Sequence, residues 1–186
     1  MLQMGAKQWQ TRETETCNSL AGMTSISSKS TGEEPAVATE PPMRLPAFQL
    51  HDQFGRATER AAFDCCPLIV MVGSREGAAG VAQWTAALRA QLGEGSVTAV
   101  LPVADLVGVP RMIRGLVLRL LPRDPAHWCA IDWDGQLGAP LRGEHGSLVA
   151  AAYDSEGMLM TWAALPPDNI DGELLLTLVD WAARTG

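Results

Sequence analysis

The strongest buried-strand signal in the chain is the apolar run Pro67-Leu68-Ile69-Val70-Met71-Val72. An unbroken run of this kind suits a central strand covered on both faces. Gly73 to Gly80 follows as a glycine-bearing turn. Residues 76–92 then place Val81, Trp84, Leu88 and Leu92 on one helical stripe, which Gly93-Glu94-Gly95 ends. Residues 96–103 are β-rich through Val97, Val100, Leu101 and Val103. Pro110 opens a second helix, with Met112, Ile113, Leu116, Val117, Leu120 and Leu121 at helical spacing, and Pro122 and Pro125 stop it.

Residues 127–132 form a short strand candidate, and 148–153 (Leu-Val-Ala-Ala-Ala-Tyr) another buried strand. Asp154-Ser155-Glu156-Gly157 is a turn, so residues 158–163 pair back as a hairpin. Asp171 caps a last helix with Leu175, Leu178, Val179 and Ala182 on its inner side. Upstream, Phe48-Gln49-Leu50-His51-Asp52 alternates and Gln53-Phe54-Gly55-Arg56 turns. The order predicts an α/β protein with a central mixed sheet and helices on both faces.

Composition changes the picture at the N-terminus. Residues 1–42 are rich in Ser, Thr, Glu and Gly, and a stretch such as Thr24 to Gly32 buries too little to offset its ordering entropy. A disordered tail over 1–42 and a folded domain over 43–186 are expected. A start codon placed too far upstream would give the same pattern, with Met43 a natural first residue.

The net charge is −7 and the pI about 4.9, against a general nucleic-acid binder. No apolar run approaches a membrane span and no signal-type apolar segment opens the chain, so the expectation is a cytoplasmic protein with no membrane partner. Cys17, Cys65, Cys66 and Cys129 show no zinc-type spacing and are too few for a disulfide framework. No metal and no cofactor are expected.

Three strings carry a family resemblance. Leu45-Pro46-Ala47-Phe48-Gln49-Leu50-His51-Asp52-Gln53-Phe54-Gly55-Arg56 is similar to a "P-x-F-x-L-x-D-x-x-G-R" opening, Pro67 to Gly73 looks like a strand leading into an active site, and Tyr153 to Leu159 is similar to a "strand, D-x-x-G, strand" hairpin. Together they resemble the thioredoxin-like superfamily over about residues 44–184. The branch is the redoxin group of peroxiredoxins (alkyl hydroperoxide reductase and thiol-specific antioxidant proteins) and related thiol:disulfide interchange proteins. The resemblance implies a thioredoxin-like fold, with peroxidase or reductase chemistry as the family's activity.

Departures from the family decide the expected function. A C-x-x-C would fall near Glu76 to Ala79, yet the turn holds Ser74, Arg75, Glu76, Ala78 and Ala79, and P-x-x-x-T-x-x-C is absent. In the family a cis-proline precedes the first hairpin strand; Ser147 and Leu148 stand there. A helix N-terminus would lower a cysteine pKa at this turn, but no sulfur is there to use it. The expectation is a non-catalytic binding or regulatory module, with a protein partner or a homodimer.

The competing expectation is a divergent peroxiredoxin or thiol-disulfide oxidoreductase using a relocated Cys65, Cys66 or Cys129. Adjacent Cys65-Cys66 could act as a strained redox switch; the plainer reading is two small residues entering a strand. Cys129 reads as a small hydrophobe on an inner strand. His127 with Cys129 and Cys65 or Cys66 is a metal set only if the fold joins them.

Gly73 to Gly77 before a helix could hold an anion with Arg75, against the plainer reading of a turn capped by Ser74. Arg111, Arg114, Arg119 and Arg123 surround one helix, as a contact for an acidic partner or, more simply, a solvated face. Asp132-Trp133-Asp134-Gly135 reads as a turn device. Trp84 and Trp181 read as core, and Trp128, Trp133 and Trp162 as a cluster at one sheet end.

Overall fold

A computed structural model describes residues 42–142 and 147–185. The expectations for residues 1–41, Cys17 included, lie outside them.

A seven-stranded mixed sheet runs in the order β2-β1-β5-β4-β3-β6-β7. The strands are β1 (Gln49–Asp52), β2 (Ala57–Glu59), β3 (Leu68–Gly73), β4 (Ala99–Asp105), β5 (Ala130–Asp132), β6 (Leu148–Tyr153) and β7 (Leu159–Ala164). Among the described residues four α-helices accompany them: α1 (Ala78–Leu92), α2 (Arg111–Leu120), α3 (Gly138–Arg142) and α4 (Gly172–Thr185). β3, β4 and β5 are parallel, while β1, β6 and β7 pair antiparallel with their neighbours.

The run expected as a central strand is β3, hydrogen-bonded on both sides and buried at every residue. Its alternating side chains feed two cores. Leu68, Val70 and Val72 join Phe48, Leu50, Leu101, Val103, Leu137, Leu141 and Tyr153. Ile69 and Met71 join Val81, Trp84 and Leu88 of α1 and Leu178, Trp181 and Ala182 of α4.

Helices do cover both faces, but unequally. Against α1 and α4 on one side stands only α3, five residues long, with Phe63 and Phe48 beside it. α3 has no periodic signature; the Asp132 carboxylate starts it by accepting the N–H groups of Leu137 and Gly138, each at 2.8 Å.

Several boundaries moved. β4 begins at Ala99 rather than 96, because Ser96 accepts the Thr98 N–H in a turn that leaves Val97 exposed. Cys129 lies just before β5 rather than on it. Asp171 caps α4 as expected, accepting from Glu173 and Leu174. The largest difference is α2. Its stripe predicts an inner face, yet none of its residues is buried; only Val117 and Leu118, with Leu121 after it, pack on Ala104, Leu106 and Ile131.

Candidate functional site

β3 delivers the chain into the turn Ser74–Gly77 at its C-terminal end, and α1 starts at Ala78. The Ser74 hydroxyl does not cap α1. It accepts from the N–H groups of Glu76 (3.3 Å) and Gly77 (3.4 Å) and so closes the turn itself. The helix N-cap is Gly77, which offers no side chain. Arg75, Glu76 and Ala79 are exposed, Ser74 and Ala78 half-buried.

Ser147, just before β6, packs against this turn. The Ser74 N–H donates to the Ser147 carbonyl at 2.7 Å. A Cβ on Gly77 would overlap that same carbonyl, and one on Gly80 would come within 2.7 Å of the Pro167 carbonyl. Glycine is required at both positions by close backbone approach, not by an unusual dihedral. Among the described residues no peptide bond is cis, and Ser147 fills the position before the hairpin strand with its own carbonyl.

Of the three described cysteines, none is in a disulfide. Cys65 and Cys66 lie at the opposite end of β3 from the turn. Six strand residues separate them from it, or about 20 Å at the usual rise per residue. Cys65 is exposed and holds a left-handed φ of 65°. Cys129 is different. It lines a cavity of about 70 Å³ whose near wall is Ala78, Val81, Ala82 and Thr85 of α1 and whose far wall includes Leu121, Pro122 and His127.

Of the three described cysteines, Cys129 is thus the one that lines a cavity with the start of α1. Burial, and then the charge of Asp52, push its pKa up to about 11. Its N–H is fixed by the Gln53 side chain at 2.9 Å. A thiol in this setting is neutral at ordinary pH and is a poor nucleophile.

The remaining candidates are placed as structure. The His127 ring faces Asp124 at 3.2 Å, and among the described residues no group of three His, Cys, Asp or Glu could hold a metal ion. Asp132 takes N–H groups from Asp134, Gly135, Gln136, Leu137 and Gly138, which makes it the turn device expected. Trp84 and Trp181 are core. The other three tryptophans do not cluster: Trp128 and Trp162 pack on the Phe48 core, and Trp133 lies under the Arg114 guanidinium near Ile131.

Sequence reasoning missed two polar anchors. Asp105 at the end of β4 is paired with Arg142 of α3 at 2.9 Å, and Gly138 packs against its carboxylate. Arg89 of α1 lies over the Trp128 ring and reaches the Val100 carbonyl; burial holds its pKa below the ordinary guanidinium value. A lone Asp in an apolar strand and a lone Arg in a helix give no local signal of such long-range pairing.

No family model and no curated protein matches the chain. Solved structures do. The exposed lipoprotein thioredoxin Etrx1 of Streptococcus pneumoniae superposes with a TM-score of 0.55 at 14% identity, over 73% of this chain and 98% of that one. The dsbF protein of MTB, in mixed oxidized and reduced forms, gives 0.53 at 17% identity, over 76% and 98%. The thioredoxin domain of a thiol-disulfide oxidoreductase from Bacteroides vulgatus gives 0.52 at 11%, over 78% and 99%.

The fold is thioredoxin-like. At these identities the likeness concerns architecture alone. In this thioredoxin-like fold Ser74–Gly77 occupies the strand-to-helix junction after β3, with the Ser74 N–H bonded to the Ser147 carbonyl.

Proposed function

We propose that this chain is a thioredoxin-fold module that works by binding a partner rather than by turning over thiols. The observation that carries the reading is the state of the described thiol that shares a cavity with the start of α1. Cys129 shares its cavity with Ala78, yet burial raises its pKa to about 11 where a redox cysteine needs a lowered one.

Within the fold, the opening string Leu45 to Arg56 favours the redoxin branch. On this reading its role is regulatory and redox-linked. The competing reading, a divergent oxidoreductase, draws its support from the position of Cys129; Cys65 and Cys66, at the far end of β3, lend it none. Purified protein should neither reduce insulin disulfides with dithiothreitol nor consume peroxide with a thiol donor. Turnover that disappears in Cys129→Ser would establish the oxidoreductase instead.

A further inference from the structure

The second helix points to a surface function that is independent of the thiols. From Leu106 to Arg123 the chain carries Arg111, Arg114, Arg119 and Arg123 and no acidic residue, in a protein of net charge −7. Arg114 turns inward onto Trp133 and is ion-paired with Asp134 at 3.9 Å. Arg111, Arg119 and Arg123 are exposed and lie in no ion pair among the described residues.

Beside these cations α2 holds Met112, Leu116 and Leu120 at i, i+4 and i+8, which are 94%, 58% and 77% exposed, with Ile113 flanking them at 43%. Apolar side chains at this spacing form one ridge along a helix. Here the ridge faces away from the sheet, because the packed positions are Val117, Leu118 and Leu121. A second ridge, Arg111-Gly115-Arg119, runs parallel to it at the same spacing.

From this we infer that α2 is an interfacial helix that lies flat on an anionic phospholipid surface, with Met112, Leu116 and Leu120 in the acyl boundary and Arg111 and Arg119 on the headgroups. Charge complementarity selects the occupant. A second copy packed on this face about a two-fold axis would bring like guanidiniums together, and residues 106–123 offer no carboxylate to answer them. Long aliphatics flanked by arginines, on a convex helix, are what a fluid apolar and anionic layer accepts. No helix among the described residues is long and apolar enough to cross a membrane, but surface adsorption makes no such demand.

The test is co-sedimentation of the full chain with phosphatidylcholine vesicles, with and without phosphatidylglycerol. Binding is expected only with phosphatidylglycerol and should weaken as salt is raised. Leu116→Asp, at an exposed position, should keep the melting temperature and weaken binding by about tenfold or more. Gly115 lies between Arg111 and Arg119, and a Cβ there meets nothing within 4 Å. Gly115→Arg should therefore tighten binding about fivefold and Gly115→Glu loosen it similarly. No phosphatidylglycerol-dependent binding by the native chain would overturn the inference, as would binding that L116D and G115E leave unchanged. A dimer in solution that L116D splits would give the face to a second copy and overturn it equally.

Discussion

The Ser74 N–H and the Ser147 carbonyl are joined by a 2.7 Å hydrogen bond that ties the end of β3 to the start of β6. It holds the closed state of the junction, because Gly77 packs against the same Ser147 carbonyl. Gly77→Ala should test this closure. Its φ of −87° suits any residue, so the whole penalty falls on the new Cβ meeting backbone. We expect a loss of roughly 2–3 kcal/mol in urea unfolding, with Gly55→Ala, at φ 82° with open space, as the contrasting case of dihedral strain alone.

Thr98 is 2% exposed and its hydroxyl has no hydrogen-bond partner. A buried hydroxyl left unpaired costs more than a methyl of the same size. Thr98→Val should therefore stabilise the protein by about 1 kcal/mol. Equilibrium unfolding measures it, and a destabilised variant would show that the hydroxyl is satisfied after all.

Cys65 occupies the third position of a tight turn in which the Cys66 N–H donates to the Phe63 carbonyl at 3.2 Å. Asp64 at φ −61° and ψ 135° followed by Cys65 at φ 65° is type II geometry, which favours glycine at the third position. Cys65→Gly should raise stability by about 1 kcal/mol, and Cys65→Ala should not. Thermal melts of the two variants give the comparison. Equal effects would mean that the thiol, not the dihedral, matters here.

Much of the architecture is legible in the sequence. Pro67 to Val72 reads as a central strand because an apolar run bounded by turn residues has few other folds open to it, and β6 and the Asp171 cap follow from equally local chemistry. What stayed hidden depends on partners far along the chain. α3 exists because Asp132 reaches the N–H groups of Leu137 and Gly138, and Arg89 is held by Trp128, 39 residues away. Periodicity misled at α2, since an apolar stripe says which side of a helix avoids water without saying what will cover it. At the candidate site, the absence of cysteine between Ser74 and Ala79 was readable; the approach of Cys129 to Ala78 and of Ser147 to Gly77 required the fold.

Alkaline pH should unfold the protein in a way that Cys129 shapes. Its pKa rises from about 9 to about 11 on folding, so the unfolded chain releases the proton first. The stabilisation is complete below about pH 9 and is lost as pH climbs towards 11, at most roughly 2–3 kcal/mol. Burial also raises the Tyr153 pKa, which adds a loss of the same sign at still higher pH. Urea unfolding between pH 8 and 11 should show a shallower decline for Cys129→Ser than for the native chain; identical declines would assign the effect to other groups.

The reading of a thioredoxin fold used without thiol chemistry is tested most directly by the ionisation of Cys129 in the folded protein. Alkylation with iodoacetamide across pH, followed by mass spectrometry of the Cys129 peptide, reports it. The expected midpoint is near 11, with little modification at neutral pH. A midpoint below the ordinary thiol range would contradict the account, because an activated sulfur would then lie beside the α1 N-terminus after all.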